Sequence, residues 1–593
     1  MKVVFRLSIV LVPLIFLLVT IDFLTSRQVY YGDALGYYAY LPATFIHDNL
    51  DHIQDVINVE TIPQEVKANM SYWPQSYAVN DSGNVIIQYT YGVALTNLPF
   101  FGLGHLASYL TGMPMDGYGK WYAIGLRLSA LFYASMGLLL LWRMFKKWGF
   151  EEEMGLLSIN IMFWGTNLFW FTFFQPGMAH INLFFLVTLL IFLSDKFWDK
   201  PSNSMIAAIG LVLGVIILIR PTDFIFVLIP ILYGVNNGKE WKNRWAFFKQ
   251  NGLKVLGIGA LMALIPVLPQ LLYWKMLTGT YFFDSYKDQT FNWTRPQIYP
   301  GLFGANNGWL TYTPVALVLI CALYISRFKY NVKWASMVLL PIYIYIAYSW
   351  WCFSYINGLG SRPMIHLYGL LAIGFSAMLT HICHQLRYTV IVFSLILGFV
   401  NLNYTYKQLD DILLSEESTH AYNFGTFFKS GIEVSDLILR DTRFRQPVLS
   451  TKEKMASSRS NQDTIINFFE EESILFKYTM EPHHLENDFI YVEGCFNLPW
   501  VVYSTYEHHM LFVKVKKGKK NKFWRGIKLN NKVGKKKGEP THIHDYRDNV
   551  WSEVGFAIPS NKFDVGDTLQ IELWNPSKKH LMFTDVSLYS GSE

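Results

Sequence analysis

Apolar runs about twenty residues long recur through the first 405 positions of the chain and then stop. They fall near 4–24, 121–142, 154–174, 179–195, 253–276, 309–326, 334–351, 363–381 and 387–405. A helix rising 1.5 Å per residue needs ~20 residues to cross a bilayer, so each run is a candidate span. A longer run, SMIAAIGLVLGVIILIRPTDFIFVLIPILYG, covers 204–234 and is interrupted by RPTD. Proline ends a helix and a charged pair is costly in lipid, so this run divides into two short helices meeting at Arg220 to Asp223. The pattern predicts about eleven spans. The first run resembles a signal peptide in its two leading basic residues, but it is long enough to span and no small-x-small site follows before Arg27, so it reads as a retained helix.

The basic residues between runs test this count independently. With the N-terminus on the cytoplasmic side, Arg143, Lys146, Lys147, Lys196, Lys200, Lys239, Lys242, Arg244, Lys249, Arg327, Lys329, Lys333 and Arg387 all fall on that side, as the positive-inside rule requires. The opposite side receives the loops with unusual chemistry: YGDALGYY, QPGMAH, RPTD, TRPQIYPGLFGANNG and SYINGLGSRPMIH. The first of these outer loops is long, 25–120. Its apolar stretch 91–111 carries Gly, Pro and His105, which predicts a segment lying in the interface. An odd number of spans places everything after about 405 outside the cytoplasm. Residues 406–473 read as a polar linker with helical pieces. From 474 to 593 the pattern changes to short alternating stretches such as DFIYVEGCF, HMLFVKVKKG and DTLQIELWNP, separated by turn residues, which predicts an antiparallel β-sandwich.

Composition agrees with the pattern. Of the 593 residues, 52% are hydrophobic and 16% charged, against roughly 25% charged in an average soluble domain. The chain therefore reads as a polytopic α-helical membrane protein, 1–405, with a C-terminal extracytoplasmic β-sandwich domain. The net charge of +6 lies in cytoplasmic-side loops and one Lys-rich tail segment, and gives no argument for a nucleic-acid partner. The four cysteines show neither CxxC nor zinc-site spacing.

Asp33 is the candidate with the sharpest chemistry. It lies ~10 residues from the predicted membrane edge, and the rings of Tyr37 and Tyr38 beside it can pack over a sugar or a lipid phosphate. A carboxylate there can cap a helix, sit solvated, or take a proton from a hydroxyl. Arg220 and Arg362 stand at outer helix ends. Arg220 can pair with Asp223 at the helix break, and Arg362 can anchor at the interface. Either can equally grip a phosphate through two parallel hydrogen bonds. His180, after QPGMA, is a cap or a substrate contact, and His366 reads as packing.

In order and placement, several stretches resemble the GT-C glycosyltransferases, bacterial members included: Asp33 after the first span, QYTYGVALTNLPFF (88–101), GLRLSALFYASMGLLLL (125–141), QPGMAHINLFFLV (175–187), LIRPTD (218–223), GLFGANNGWLTYTPV (301–315) and WWCFSYINGLGSRPMIHLYGLLAIG (350–374). The likeness covers about 1–405. It implies an integral membrane enzyme that takes a sugar from a polyprenyl-phosphate donor outside the cytoplasm and passes it, with inversion, to a glycan, lipid or protein acceptor. It implies that Asp33 acts as base or orients the acceptor, and that Arg220 and Arg362 hold the donor phosphate, with Arg127 and Arg295 as further candidates. Tyr37, Tyr38, Tyr91, His180 and Asp223 are the implied substrate contacts. The setting would be the inner membrane of a bacterial envelope, among membrane lipids. No cofactor is implied firmly, and a divalent metal ion stays open. Two features depart from relatives within the superfamily: Asp33 is followed by Ala34, unlike the Asp-Glu pair of protein mannosyltransferases, and Trp350-Trp351 is followed by Cys352, unlike the WWD signature of oligosaccharyltransferases. A glycan polymerase or ligase, a lipid or glycan transporter, and an envelope assembly protein are the alternatives. A transporter calls for ionisable residues deep within several spans, whereas the unusual charges here cluster at one face.

In the tail, HLMFTDVSLYS resembles the last strand of carbohydrate-binding jelly rolls. Trp500, Trp524, Trp551 and Trp574 can form a sugar platform or, by default, core. The stretch KVKKGKKNKFWRGIKLNNKVGKKKG (514–538) is a solvated loop or a contact for anionic headgroups or an acidic glycan. His542 and His544 share a strand face and would need further ligands to hold a metal.

Overall fold

The computed structural model describes residues 11–72, 77–79, 85–287, 289–325, 330–356, 358–415, 418–442, 444, 446–458, 465–498, 508–530, 532–535, 550–576 and 578–593. Trp500, His542, His544, Arg327, Lys329, the first ten residues and the end of the Lys-rich stretch lie outside them. The chain forms two compact units, Met1–Leu402 and Asn403–Glu593.

The first unit is helical. In chain order it contains α1 (Leu11–Val19), α2 (Asp33–Tyr38), α3 (Gly92–Thr111), α4 (Lys120–Lys147), α5 (Glu152–Gly165), α6 (Asn167–Phe173), α7 (His180–Asp199), α8 (Asn203–Ile219), α9 (Gly238–Thr278), α10 (Val315–Ile325), α11 (Lys333–Ser349), α12 (Tyr368–His381) and most of α13 (His384–Leu409), whose last turns belong to the second unit. Among the described residues, α4, α7, α9, α13 and the continuous helical segment Arg362–His381 are long and apolar enough to cross a membrane, and α5 with α6, bent by 67°, adds a sixth if taken as one span. Shorter apolar helices, such as α8 and α10, are also present among the described residues. Hydropathy counts apolar residues regardless of where the backbone breaks. Here α8 stops at Ile219 because Arg220 precedes Pro221 and is held extended (φ −147°, ψ 103°), and a 3₁₀ turn follows.

Small residues set the packing of α8 on α9. A Cβ on Gly210 would collide with the backbone of Gly259, and one on Gly214 with that of Ala263. This is the small-x-x-x-small arrangement that lets two helices approach closely. The long first loop is folded. Its α2, a two-stranded hairpin (β1, Tyr77–Val79; β2, Val85–Ile87) and α3 share a core that includes Tyr30, Ile53, Ile86, Phe101 and Tyr122. The stretch 91–111 is one helix along α4, joined to it by Ser129 donating to Asn97 at 2.5 Å.

The second unit holds a β-sandwich. Its strands are β3 (Glu453–Ser457), β4 (Ile466–Phe468), β5 (Glu472–Thr479), β6 (Phe489–Asn497), β7 (Met510–Lys517), β8 (Lys520–Lys528), β9 (Ser552–Pro559), β10 (Thr568–Trp574) and β11 (Leu581–Gly591). One antiparallel sheet runs β5-β10-β7-β8. The other runs β3-β11-β6-β9, with β4 also on β11. Leu511, Val513 and Val515 of the first sheet and Ile490, Val492 and Phe496 of the second belong to one core. The sheet region therefore begins at Glu453, upstream of the predicted start at 474. Trp524 and Trp551 are exposed and Trp574 is half-buried, so none of the three is the core residue that default packing predicts.

Candidate functional site

Proline-linked breaks in the helical unit bring polar side chains together. Arg220 and Asp223 flank Pro221. Arg362 opens a 3₁₀ turn, Arg362–Leu367, with Pro363 second and His366 near its end. His180 begins α7 just after Gln175-Pro176-Gly177. In each case a proline lies beside the point where helical backbone starts or stops, and a polar residue stands at that point. These residues meet the first loop around a cavity of about 390 Å³, whose lining includes Asp33, Tyr37, Tyr89, His180, Arg220 and Arg362, together with Tyr286, Trp350 and Tyr355.

Asp33 is engaged through both carboxylate oxygens. Arg362 Nη2 lies 2.5 Å from Oδ2, and Tyr89 donates to Oδ1 at 2.8 Å. Burial raises the pKa of the Tyr37 and Tyr89 phenols, and the neighbouring Asp33 charge raises it further, so both remain protonated donors. The two arginines share a partner. Their guanidinium carbons lie 5.6 Å (Arg220) and 5.9 Å (Arg362) from the ring centroid of Tyr355, whose hydroxyl accepts from Arg220 Nη2 at 3.4 Å and donates to the Ala347 carbonyl at 2.6 Å. Tyr355 adopts a left-handed backbone (φ 47°), a conformation that costs a bulky residue energy and marks a position fixed by its surroundings. The result is a hollow whose wall carries two cations, one of them, Arg362, paired with the Asp33 carboxylate. Such a wall suits an anion that can take fork-type hydrogen bonds.

Of the candidates read from the sequence, Asp33, Tyr37, His180, Arg220 and Arg362 line the cavity. Asp223 lies fully buried behind it, 4.0 Å from Arg220 Nε. The remaining candidates lie elsewhere. Tyr38 donates to the Gly117 carbonyl inside the first-loop core, and Tyr91 to the Pro266 carbonyl of α9. Arg127 is buried in α4, where it donates to the carbonyls of Leu24, Arg27 and Phe173. These are orphan acceptors near helix ends, so Arg127 ties α4 to the first loop and α6. Arg295 stays in an exposed turn after Asn292. Among the described residues, the group able to converge on a metal ion is Glu481, His483 and His484 in the second unit.

The sequence reading missed Tyr89, Tyr286 and Tyr355, which look like members of a general aromatic surplus. It also took His366 for packing, yet both of its ring nitrogens have polar partners. The signal available was the repetition of Arg-Pro at 220–221 and 362–363, each followed within three residues by a titratable side chain. No protein-family model and no curated protein matches this chain.

Proposed function

We propose that the chain is a membrane glycosyltransferase that moves a sugar from a polyprenyl-phosphate donor to a glycan, lipid or protein acceptor on the extracytoplasmic side of the inner membrane, with its N-terminus cytoplasmic. The observation that carries this reading is the shared cavity in which Arg220 and Arg362 face Asp33. The donor phosphate lies against the two arginines, with Tyr355 holding them in position. As phosphate arrives it competes with Asp33 for Arg362, and the carboxylate turns to the acceptor hydroxyl. That hydroxyl gives up its proton to a basic group of the cavity wall as its oxygen forms a bond to the anomeric carbon, and the bond from that carbon to the phosphate oxygen breaks with its electron pair leaving on the phosphate. The arginine charges stabilise this growing negative charge. Inversion follows because attack and departure occur on opposite faces.

Membranes holding wild-type or Asp33→Asn protein, incubated with radiolabelled polyprenyl-phosphate sugars and endogenous acceptors, test the reading. The wild type transfers label from at least one donor, and Asp33→Asn does so about 10²-fold more slowly or worse while still binding lipid donor. A wild type that transfers from none of the donors defeats the proposal.

A further inference from the structure

Behind the cavity wall runs a line of buried polar groups that phosphate binding does not use. Asp223 Oδ2 lies 2.8 Å from His366 Nδ1, and His366 Nε2 lies 2.9 Å from His180 Nδ1. Tyr343 of α11 donates to Asp223 Oδ1 at 3.3 Å and stands 2.5 Å from His366 Nδ1. Asp223 and His366 are fully buried, and His180 is 3% exposed. His180 alone of these lines the cavity. Phe171 packs against its ring at 5.6 Å between centroids and holds it in place.

The proton positions follow from the network. Tyr343 gives its one hydroxyl proton to Asp223 Oδ1, so it accepts in its contact with His366; His366 therefore carries its proton on Nδ1, beside the Asp223 carboxylate, and a lone pair on Nε2. His180 Nδ1 is then the donor to that lone pair. The nitrogen left to face the cavity is His180 Nε2, bearing a lone pair. Asp223 thus dictates, through two rings, which kind of hydrogen bond the cavity wall offers, the logic by which a carboxylate fixes the tautomer of a basic histidine.

We propose that His180 is a catalytic residue, its Nε2 accepting the proton of the attacking hydroxyl, and that His366 and Asp223 are positioning residues that hold it in the tautomer able to do so. This rests on the glycosyl-transfer reading above. Asp33, released from Arg362 as phosphate arrives and still accepting from Tyr89, orients the same hydroxyl. In the step, the O–H bond breaks and its proton passes to Nε2. The oxygen bonds to the anomeric carbon, and the carbon–oxygen bond to phosphate breaks with its electrons leaving on the phosphate. The polyprenyl phosphate leaves as the dianion, and the His180 imidazolium then releases its proton to water in the cavity, which restores the starting state. The charged and titratable groups facing the two rings are Arg220 and Asp223 from the break after α8, Arg362 from the turn that carries His366, and Tyr343 from α11.

The test measures turnover and donor KM against pH for the full-length wild type, His180→Ala, His180→Gln and Asp223→Asn, in membranes supplied with whichever labelled donor the wild type uses. Asn at 223 donates to His366 Nδ1 and so reverses both rings, removing the lone pair from the cavity. Turnover is expected to fall about 10²- to 10⁴-fold. Because Asp223 also neighbours Arg220, donor KM is read beside turnover, and it is expected to change far less. His180→Ala falls by a similar factor and recovers in part on added imidazole, whereas Asp33→Asn gains nothing from imidazole. His180→Gln, which keeps a polar side chain in the wall, stays as slow as His180→Ala and loses the acid limb of the rate profile. The relay is overturned if the His180 variants or Asp223→Asn turn over at the wild-type rate with the wild-type pH profile, or if the loss is insensitive to imidazole and leaves that profile unchanged. A wild type that transfers from no donor overturns the glycosyl-transfer reading itself, an outcome distinct from either.

Discussion

The two units of this chain treat buried charge in opposite ways. In the sandwich, Lys532 is fully buried with its ammonium 2.5 Å from Asp441 Oδ2, and that oxygen also accepts from the Lys528 backbone at 2.8 Å. Burial lowers the pKa of the Lys532 ammonium to about 8, against the pull of Asp441. In the helical unit, Asp33, Arg220 and Arg362 face an open hollow. A closed pair has given up its water and depends wholly on its partner. An open pair keeps access to solvent and can exchange its partner for an incoming ion. The difference separates charge that holds a shape from charge that is available for binding.

The largest effect is expected from removing one member of the closed pair. Lys532→Met leaves the buried Asp441 carboxylate without its ion-pair partner, with the Lys528 backbone N–H still donating to it, which costs about 3 kcal/mol, the lower end for breaking a buried pair. Hydrogen exchange of the β7 and β8 amides in the detergent-solubilised full-length protein measures the loss. Replacing both members, as Lys532→Met with Asp441→Leu, recovers most of it. If Lys532→Met exchanges like the wild type, the pair is solvated and the contrast with the cavity disappears.

The same operation on the open pair gives a smaller effect on stability and a large one on binding. Arg362→Gln leaves Asp33 facing a hollow that water can enter, with Tyr89 still donating to it. Arg362 is itself buried, but the Asp33 carboxylate left behind is 26% exposed, so the stability cost is about 1–2 kcal/mol, between that of an exposed and a buried pair. Thermal melts in detergent check this. Added polyprenyl phosphate should raise the melting temperature of the wild type and leave the variant unmoved. A loss as large as that of Lys532→Met would make Asp33–Arg362 a structural pair.

The residues of the open pair were legible because each breaks a local rule. Asp33 follows an apolar run, and Arg220 and Arg362 interrupt or border others, so hydropathy and the cost of charge in lipid single them out. Arg127 carries the same signal and serves a different purpose. Its guanidinium satisfies carbonyls at the ends of other elements, and those are brought to it only by the tertiary fold. His366 was illegible for a related reason: its partners, Asp223 and His180, are 143 and 186 residues away in sequence. The early strands β3 and β4 escaped because EKMAS and INF show no sustained alternation. Their strand character comes from pairing with β11, and tertiary context decides such edge segments. The break at Arg220 was legible where it falls, whereas the number of spans is not read from hydropathy alone, since apolar length is additive along the chain while helix continuity depends on single residues such as Pro221.

The smallest effect concerns a closed site made of hydroxyls. Asp585 accepts from Ser587 at 2.6 Å, from Ser458 at 2.8 Å and from Ser457 at 2.9 Å, with Lys454 at 3.5 Å. Burial pushes its carboxyl up, but the serine hydrogen bonds and the lysine charge outweigh burial and hold it below its ordinary value. A depressed folded-state value means that the unfolded chain binds the proton first. The stabilisation is therefore complete above the unfolded value of about 3.9 and is lost as pH falls through the lower folded value. Asp585→Asn should flatten the acid end of the stability profile by about 1 kcal/mol, the worth of one such hydrogen-bonded group, while leaving pH 6 to 8 parallel to the wild type. Hydrogen exchange of β3 and β11 across pH 2.5 to 5 reads this directly. If the variant and wild type lose protection together throughout that window, the hydroxyl cage does not hold the charge. Asp585 would then behave as a solvated carboxylate, and the division between closed and open charge would run inside the sandwich as well as between the units.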